Sequence, residues 1–363
     1  MKNLFITRKF PPTKGGMEKV AYELYIHLSK ITEVELIKWG GANKWLFFIL
    51  PYFLFKSIWI LLTKKIDIVY LQDGLLAPLG LVLKIFRKPV AITIHGLDIT
   101  YKNRFYQFLI PNCLKKLDKI ICISNSTKQE CLKRGIPEGK VTVIPDGISD
   151  EFYIAWDKKT IRNQLERRFN ISLEDKKIIL SVGRLVERKG FHWFVTEVIP
   201  KLIQQRKDFI YIIGGEGFFR KKIEVLIQNK LQDFVKILGQ VENEDLKMLY
   251  NAADTFVMPN IRVKGDMEGF GIVALEAASC GLPVIASNLE GIKDAVKNNQ
   301  NGFLVEPYDS EGFIKTICQL LENDEIRESV GKKAREFTLE NYSWDKVTQQ
   351  YLNEFEISIK KRQ

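Results

Sequence analysis

The sequence predicts an α/β protein with two successive parallel β-sheets. Short runs rich in β-branched residues alternate with helical stretches through the first half of the chain, which is typical of parallel strands joined by crossover helices. The alternation pauses after PDGISDEF (145–152) and restarts at residue 177. A chain of 363 residues is also longer than one hydrophobic core usually serves, so we expect two domains.

Each half of the chain contains six candidate strands. In the first half they lie at 4–7, 34–39, 67–73, 90–96, 119–124 and 141–147, with helices at 17–30, 75–86 and 126–134. In the second half they lie at 177–185, 209–217, 235–241, 255–260, 283–287 and 302–307. The charged helical stretch 158–169 has no strand signal and is interpreted as a linker. We therefore expect domains at 1–160 and 170–340, followed by a polar helix at 341–363.

Composition and charge narrow the class of protein. Hydrophobic residues make up 46% and charged residues 27%, as in globular domains. The net charge of +11 suits an anionic partner, but Lys and Arg are scattered through helical stretches, so no nucleic-acid partner is expected. Five isolated cysteines predict reduced thiols rather than disulfides or a zinc site. Residues 1–10 lack the features of a signal peptide, and a cytoplasmic location is expected.

Segment 45–62, WLFFILPYFLFKSIWILL, is the one apolar stretch that approaches the length of a membrane span. Pro51 and Lys56 interrupt it, and a lysine near the centre of a bilayer costs about 2.5–3.5 kcal/mol on insertion scales. Three interpretations stay open: a wholly buried helix, a helix that contacts an anionic membrane surface, and a true span.

Ligands of open α/β sheets bind beyond the carboxyl ends of the strands, so residues at those positions are the candidates for function. Gly15 and Gly16 precede the first helix, where a glycine pair can admit an anion to backbone N–H groups. His95 ends a strand and precedes a glycine; a histidine there can hydrogen-bond a sugar hydroxyl or transfer a proton. Ordinary loop and structural roles remain open for all three.

Two further strand ends suggest a phosphorylated ligand. GRLVERKG (183–190) supplies Arg184 and Lys189, a guanidinium and an ammonium that together suit a diphosphate. IIGGEG (212–217), with Gly215 and Glu216, allows close approach of a nucleotide or its sugar. The sequence has neither a Gly-x-Gly-x-x-Gly dinucleotide motif nor a P-loop. It also lacks Asp-x-Asp, so no metal ligand is predicted and the positive charge must come from the protein.

The stretch KGDMEGFGIVALEAASCGLPVIAS (264–287) places two carboxylates around a loop–helix junction. Glu268 falls on the loop and Glu276 about one turn into the helix. Carboxylates would repel a diphosphate directly, so we expect Glu276 to accept hydrogen bonds from a ribose and Glu268 from a transferred sugar. The N–H groups around Phe270, Gly271 and Ile272, at the start of the helix, are expected to face the phosphates.

Taken in this order, the motifs resemble those of the retaining glycosyltransferases of family 4 (group 1), which have the GT-B fold. The motifs that carry the resemblance are Gly15-Gly16, His95, GRLVERKG, GGEG, MPN, EGFGIVALEA and GLPVIAS. The resemblance covers nearly the whole chain and implies two Rossmann-like domains that face each other across a cleft. It also implies that the C-terminal helix returns to the first domain.

The resemblance further implies functional roles. Arg184 and Lys189 would bind the diphosphate of a nucleotide-sugar donor, and His95 and Glu268 would act at the transferred sugar without a metal or other cofactor. The acceptor would bind mainly to the first domain, where we expect Arg8, Lys9, Asp98 and Tyr101. A lipid-linked or membrane-proximal glycan is the favoured acceptor. A soluble acceptor (a polyol phosphate or a glucan), a nucleotide-sugar epimerase and a catalytically silent binding module remain alternatives.

Overall fold

A computed structural model, which describes residues 1–13, 15–228 and 230–362, divides the chain into two compact units. Unit 1 comprises Met1–Gly147, Gly265–Phe270 and Tyr342–Gln363, and unit 2 comprises Ile148–Lys264 and Gly271–Asn341. The first boundary lies at Gly147 rather than near residue 160. Unit 1 also contains the six residues 265–270, which sequence reasoning assigned to the second domain.

Unit 1 is built on a parallel sheet of six strands in the order β2-β1-β3-β4-β5-β6. Apolar runs form the central strands, and every residue of β3 and β4 is buried, as expected for a sheet covered on both faces. The strands are β1 (Lys2–Thr7), β2 (Glu33–Lys38), β3 (Ile68–Leu71), β4 (Val90–Ile94), β5 (Lys119–Cys122) and β6 (Val141–Val143). The first helices are α1 (Gly16–Ile31), α2 (Leu46–Thr63), α3 (Ala77–Leu83), α4 (Leu97–Thr100), α5 (Arg104–Leu114) and α6 (Asn125–Lys133).

Helix α2 is the apolar segment whose burial the sequence left open. Phe53, Ser57 and Ile60 are buried and pack it onto the core of unit 1, but much of its opposite face is exposed. The wholly buried interpretation is therefore wrong. Within the described part of the chain, α2 is the single helix long and apolar enough to cross a membrane, which by itself is weak evidence of a span.

Unit 2 repeats the architecture with a parallel sheet in the order β12-β11-β10-β7-β8-β9. The strands are β7 (Lys177–Val182), β8 (Phe209–Gly214), β9 (Val235–Gly239), β10 (Thr255–Met258), β11 (Val284–Ser287) and β12 (Phe303–Val305). The helices are α7 (Lys158–Phe169), α8 (Phe191–Trp193), α9 (Ile199–Gln205), α10 (Arg220–Ile227), α11 (Asn243–Ala252), α12 (Ile272–Ser279), α13 (Ile292–Ala295), α14 (Ser310–Glu322) and α15 (Asp324–Tyr342), whose last residue belongs to unit 1. A π-helical stretch, Phe194–Val198, joins α8 to α9.

Helix α7 corrects the prediction of a linker at 158–169. It packs against α11 and buries Ile161 and Leu165. Lys158 and Arg162 both bind the carboxylate of Asp254, at 2.8 and 2.7 Å. Burial raises the pKa of Asp254, but the two cations more than offset this and hold it below the usual value. The charged sequence 158–169 therefore forms a packed helix rather than a linker, because two of its cations neutralise the buried Asp254.

The last helix, α16 (Trp344–Lys360), belongs to unit 1. Its Tyr351 and Phe355 rings lie 5.7 and 5.2 Å from the ring of Tyr70 on β3. At its start, Trp344 stacks on His27 of α1 with ring centroids 6.0 Å apart. Aromatic packing thus fixes this helix to the same face of the sheet as α1.

Replacing Phe355 by Ala tests this packing. The side chain is fully buried, so we expect the substitution to lower the stability of unit 1 by about 3–5 kcal/mol, measured by chemical denaturation. Ile357→Ala, on the exposed face of the same helix, is the matched control and is expected to change stability by less than about 1 kcal/mol. Equal effects of the two substitutions would contradict the packing described.

Candidate active site

His95 lies directly beyond β4, at the edge of the unit 1 sheet where the strands have their carboxyl ends. The residue is nine-tenths buried, and its Nε2 lies 2.8 Å from the backbone carbonyl oxygen of Gln72. A carbonyl oxygen only accepts hydrogen bonds, so Nε2 carries a proton and Nδ1 is the acceptor in the neutral ring. The ring is thus held in one tautomer, with Nδ1 able to accept a hydrogen bond from a hydroxyl.

Asp98 holds the turn on which His95 sits. Its Oδ1 accepts a hydrogen bond from the backbone N–H of His95 (2.9 Å), and its Oδ2 accepts one from Gly74 (3.0 Å). Burial raises the pKa of Asp98, partly opposed by His95 and by these hydrogen bonds. The contact of Asp98 with an acceptor stays a prediction. In the structure, Asp98 positions the turn that carries His95. Tyr101, three residues on, is half-exposed and packs edge-on against Tyr106.

The loop that carries Glu268 packs on this same turn within unit 1. Gly96 has a φ of 103°, and a Cβ placed on it would lie 3.0 Å from the Cα of Gly269. A Cβ on Gly269 would collide with the carbonyl oxygen of His95. Glu268, immediately before Gly269, is nine-tenths buried. The structure therefore brings together the neighbourhoods of the two residues that the sequence predicts to be catalytic.

The basic residues after β1 are held by buried acids. Arg8 donates to Asp73 at 2.9 Å, and Lys9 donates to Glu18 at 3.0 Å. A Cβ on Gly15 would meet the Glu18 carboxylate, which is the movable end of a side chain, whereas Gly16 borders open space at the start of α1. Acid partners lower the positive potential of Arg8 and Lys9, so both are better suited to hydroxyl than to phosphate ligands.

Sequence reasoning missed two acids near His95, Asp73 and Asp146. Asp73 follows β3 and its side chain is fully buried against Arg8. Asp146 lies beyond β6; burial raises its pKa to about 6, partly opposed by the nearby His95. The signal for both acids was an Asp-Gly pair that closely follows an apolar strand, in LQDG (71–74) and IPDG (144–147). Such a pair can be mistaken for ordinary turn punctuation.

In unit 2, the predicted cations follow β7. Arg184 is exposed, whereas Lys189 is buried and its stem crosses Gly183, where a Cβ would lie 3.3 Å from Cε. Gly190 has a φ of 69°, and any Cβ there would collide with the carbonyl oxygen of Pro259. The turn 183–190 therefore fits tightly against the segment after β10. It carries Arg184 and Lys189 at the edge of the sheet where the strands have their carboxyl ends.

The GGEG loop is joined to this turn through its backbone. Gly183 donates to the carbonyl of Gly214 at 3.0 Å, and Leu185 donates to that of Glu216 at 2.9 Å. A Cβ on Gly215 would collide with the carbonyl oxygen of Gly183. The sequence predicts that Gly215 allows a ligand to approach the backbone closely. In the structure, the backbone of the turn at Gly183 occupies that position beside Gly215. The Glu216 side chain forms an ion pair with Arg220.

Helix α12 begins without a capping side chain from the residue before it. That residue is Gly271, at a φ of 94°, so the helix start from Ile272 is suited to an anion. In the second turn, Glu276 is buried and its Oε2 accepts a hydrogen bond from Tyr250 at 2.9 Å. The Phe270 ring is buried within unit 1 against Tyr342, 6.1 Å between centroids.

Residues 1–13, 15–228 and 230–362 lack clusters of possible metal ligands. This part of the chain holds no group of three or more His, Cys, Asp or Glu side chains arranged to hold an ion. Arg184, Lys189 and the start of α12 are groups of unit 2 that carry full or partial positive charge.

Comparison with known proteins identifies the class. The family model of the group 1 glycosyl transferases matches residues 163–337, and that of glycosyltransferase family 4 matches residues 30–152. An uncharacterised glycosyltransferase of Methanocaldococcus jannaschii is 30% identical over 317 residues, which covers 84% of this chain and 78% of that protein. The chain belongs to the group 1 (family 4) glycosyltransferases. It is therefore an enzyme of the transferase class.

Two further similarities describe its relatives. A putative colanic acid biosynthesis glycosyltransferase of Escherichia coli is 28% identical over 260 residues, 70% of this chain and 61% of that protein. The crystal structure of Anabaena HepE in complex with UDP-glucose superposes with a TM-score of 0.77 at 18% identity, covering 98% of this chain and 100% of that one. Together with the two parallel sheets, this similarity confirms the GT-B fold class.

Gly269→Ala tests the seating of the Glu268 loop. Because the added methyl collides with the His95 carbonyl, we expect a loss of about 2 kcal/mol or more in the stability of unit 1 by chemical denaturation. Gly139→Ala is the matched control in the same unit, since a Cβ there meets nothing within 4 Å, and it should shift stability by less than about 0.5 kcal/mol. A neutral Gly269→Ala substitution would contradict this packing.

Asp146→Asn tests the buried acid. The pKa of Asp146 is raised from 3.8 to about 6, so its stabilising contribution is present below about pH 4 and is lost as the pH rises through about 6. Relative to the wild type, we expect the variant to gain up to about 3 kcal/mol between about pH 4 and pH 7, seen in denaturation midpoints at both pH values. A pH-independent difference would show that Asp146 does not titrate as described.

Proposed function

We propose that this glycosyltransferase moves a sugar from a nucleotide-diphosphate sugar to a lipid-linked or membrane-proximal glycan in surface polysaccharide (O-antigen or capsule) synthesis. The observation that carries the donor assignment is that two cations follow β7, while a helix with no side-chain cap from its N-cap residue and a buried carboxylate follow the neighbouring strand β10. That the related HepE was crystallised with UDP-glucose supports a nucleotide-sugar donor, and the similarity to a putative colanic acid enzyme supports a polysaccharide acceptor.

In this proposal the diphosphate is bound by Arg184, Lys189 and the N–H groups at the start of α12. Glu276, held by Tyr250, accepts hydrogen bonds from the ribose hydroxyls. The diphosphate charge is then neutralised by protein groups, and we propose that donor binding needs no divalent metal or other cofactor.

His95 and Glu268 act on the transferred sugar. His95 Nδ1 accepts a hydrogen bond from a sugar hydroxyl, because Nε2 is occupied by Gln72. Glu268 accepts from another hydroxyl of the same sugar. The bond between the anomeric carbon and the leaving phosphate oxygen breaks. The acceptor oxygen bonds to the same face of that carbon, and its proton passes to the leaving phosphate, so the anomeric configuration is retained.

The proposed acceptor places the enzyme in the cytoplasm at the inner face of the cell membrane. Support comes from α2, whose exposed apolar face lies on unit 1, the unit that also carries the predicted acceptor residues Arg8, Lys9, Asp98 and Tyr101. A helix that is docked on the protein by one face and exposes large apolar side chains on the other can rest at the interface between water and lipid.

A panel of UDP-, GDP-, dTDP- and ADP-sugars tests the donor assignment through nucleotide release. With the preferred donor, Arg184→Ala is expected to raise KM about tenfold or more, because a charge-assisted contact to the diphosphate is lost. Glu268→Gln is expected to lower kcat about a hundredfold or more with a smaller change in KM. Adding EDTA is expected to leave the rate unchanged.

Lys315→Ala, at an exposed lysine of α14, is the matched control and should retain wild-type kinetics. An active Glu268→Gln variant would refute the assigned role of Glu268. Release of an epimerised sugar without transfer would identify an epimerase, and transfer to a polyol phosphate or a glucan in preference to a lipid-linked glycan would refute the proposed acceptor. Proton couplings of the product sugar report whether the anomeric configuration is retained.

A further inference from the structure

The outward face of α2 is almost wholly apolar. Phe48, Phe55, Trp59 and Leu62 recur at helical spacing on this face and are 63%, 70%, 58% and 71% exposed. Folded proteins seldom expose a contiguous apolar surface of this kind unless it binds a partner or a membrane.

The apolar surface continues across the next two helices of the same layer. Helix α2 packs on α3, and α3 packs on α5. Beside the end of α3, Val82 and Ile85 are 43% and 78% exposed; on α5, Phe105 and Phe108 are 72% and 70% exposed. The two members of each pair are three positions apart and therefore lie on the same side of the helical turn.

The charge of this region is strongly one-sided. From Leu36 to Leu117 the sequence has 12 Lys and Arg but only three acids, Asp67, Asp73 and Asp98, so these residues carry +9 of the net +11. Asp73 and Asp98 are buried, and Asp67 accepts a hydrogen bond from the backbone of Lys2. Two of the 12 cations, Lys64 and Lys84, pair with the flanking acids Glu35 and Asp118, and the region still carries an excess of positive charge.

Exposed cations border the ends of the three helices. Lys44 and Lys65 flank α2, Arg87 follows the turn after α3, and Arg104 and Lys116 lie at the two ends of α5. Lysine and arginine in these positions can reach lipid phosphates while the aromatic side chains enter the acyl boundary.

We infer that the outer surfaces of α2, α3 and α5 together form one docking surface for an anionic lipid bilayer, with α2 lying in the plane of the membrane. This inference rests on the proposed function, because docking on a bilayer would bring unit 1 to a membrane-proximal acceptor. It extends the proposed membrane contact from α2 alone to α2, α3 and α5.

Two alternatives fit the surface less well. A span would remove Phe53, Ser57 and Ile60 from the core of unit 1, where they are buried. A second copy of the chain on the same face would bring two surfaces of like charge together, which is repulsive. An anionic bilayer satisfies both the apolar faces and the cations.

Flotation of the full chain with vesicles tests the inference. The chain is expected to bind vesicles of phosphatidylglycerol and phosphatidylcholine in equal parts, to bind pure phosphatidylcholine more weakly, and to lose binding at high salt. The double variants Phe55→Ser/Trp59→Ser and Phe105→Ser/Phe108→Ser should each reduce partitioning about tenfold or more. Phe218→Ser, at a 79% exposed phenylalanine of unit 2, is the matched control and should bind as the wild type does.

Donor hydrolysis in solution should be unchanged in both double variants, which separates a failure of docking from a failure of the proposed reaction. Wild-type binding by Phe105→Ser/Phe108→Ser would overturn the three-helix surface. Size-exclusion chromatography that shows a dimer dissociated by both double variants would assign the surface to a second copy instead. Retention of the chain in cell membranes after alkaline carbonate washing would show that α2 spans the bilayer.

Discussion

Contact between backbones at the carboxyl ends of parallel strands is the constraint on which both candidate sites depend. All strands of a parallel sheet deliver their following loops to one edge, so these loops crowd together. Here the crowding is resolved by glycines that admit a neighbouring carbonyl where a side chain would collide: Gly269 on His95, Gly190 on Pro259, and Gly215 on Gly183. The functional side chains are positioned because the turns that carry them are fixed against one another.

Much of this arrangement was predictable from local patterns. All twelve strands were located because β-branched runs end in glycine or polar residues, although strand β3 stops at Leu71 and leaves Gln72 and Asp73 to the loop. The grouping of 265–270 with unit 1 was not predictable, because no local signal reports contact with a turn some 170 residues earlier in the chain. Gly215 was likewise assigned to a ligand, although the carbonyl oxygen of Gly183 already leaves no room for a side chain there.

Charge illustrates the same limit of one-dimensional reasoning. Lys and Arg are spread along the sequence, so no run of cations draws attention. What distinguishes residues 36–117 is the scarcity of acids, two of which are buried. Helix α7 shows the opposite case, since its cations look solvent-facing in the sequence but bind the buried Asp254. Burial of the acids decides which cations remain available, and burial is a property of the fold.

The placement of α16 on unit 1 has a consequence for the order of folding during synthesis. Tyr70 is covered by Tyr351 and Phe355, which leave the ribosome some 280 residues after it. Domains often fold as they emerge, the N-terminal one first. In this chain, every residue of unit 2 has been translated before the last helix of unit 1 appears. The N-terminal unit is therefore the later of the two to reach its finished state, and the face of its sheet that α16 covers is open to aggregation in the interval.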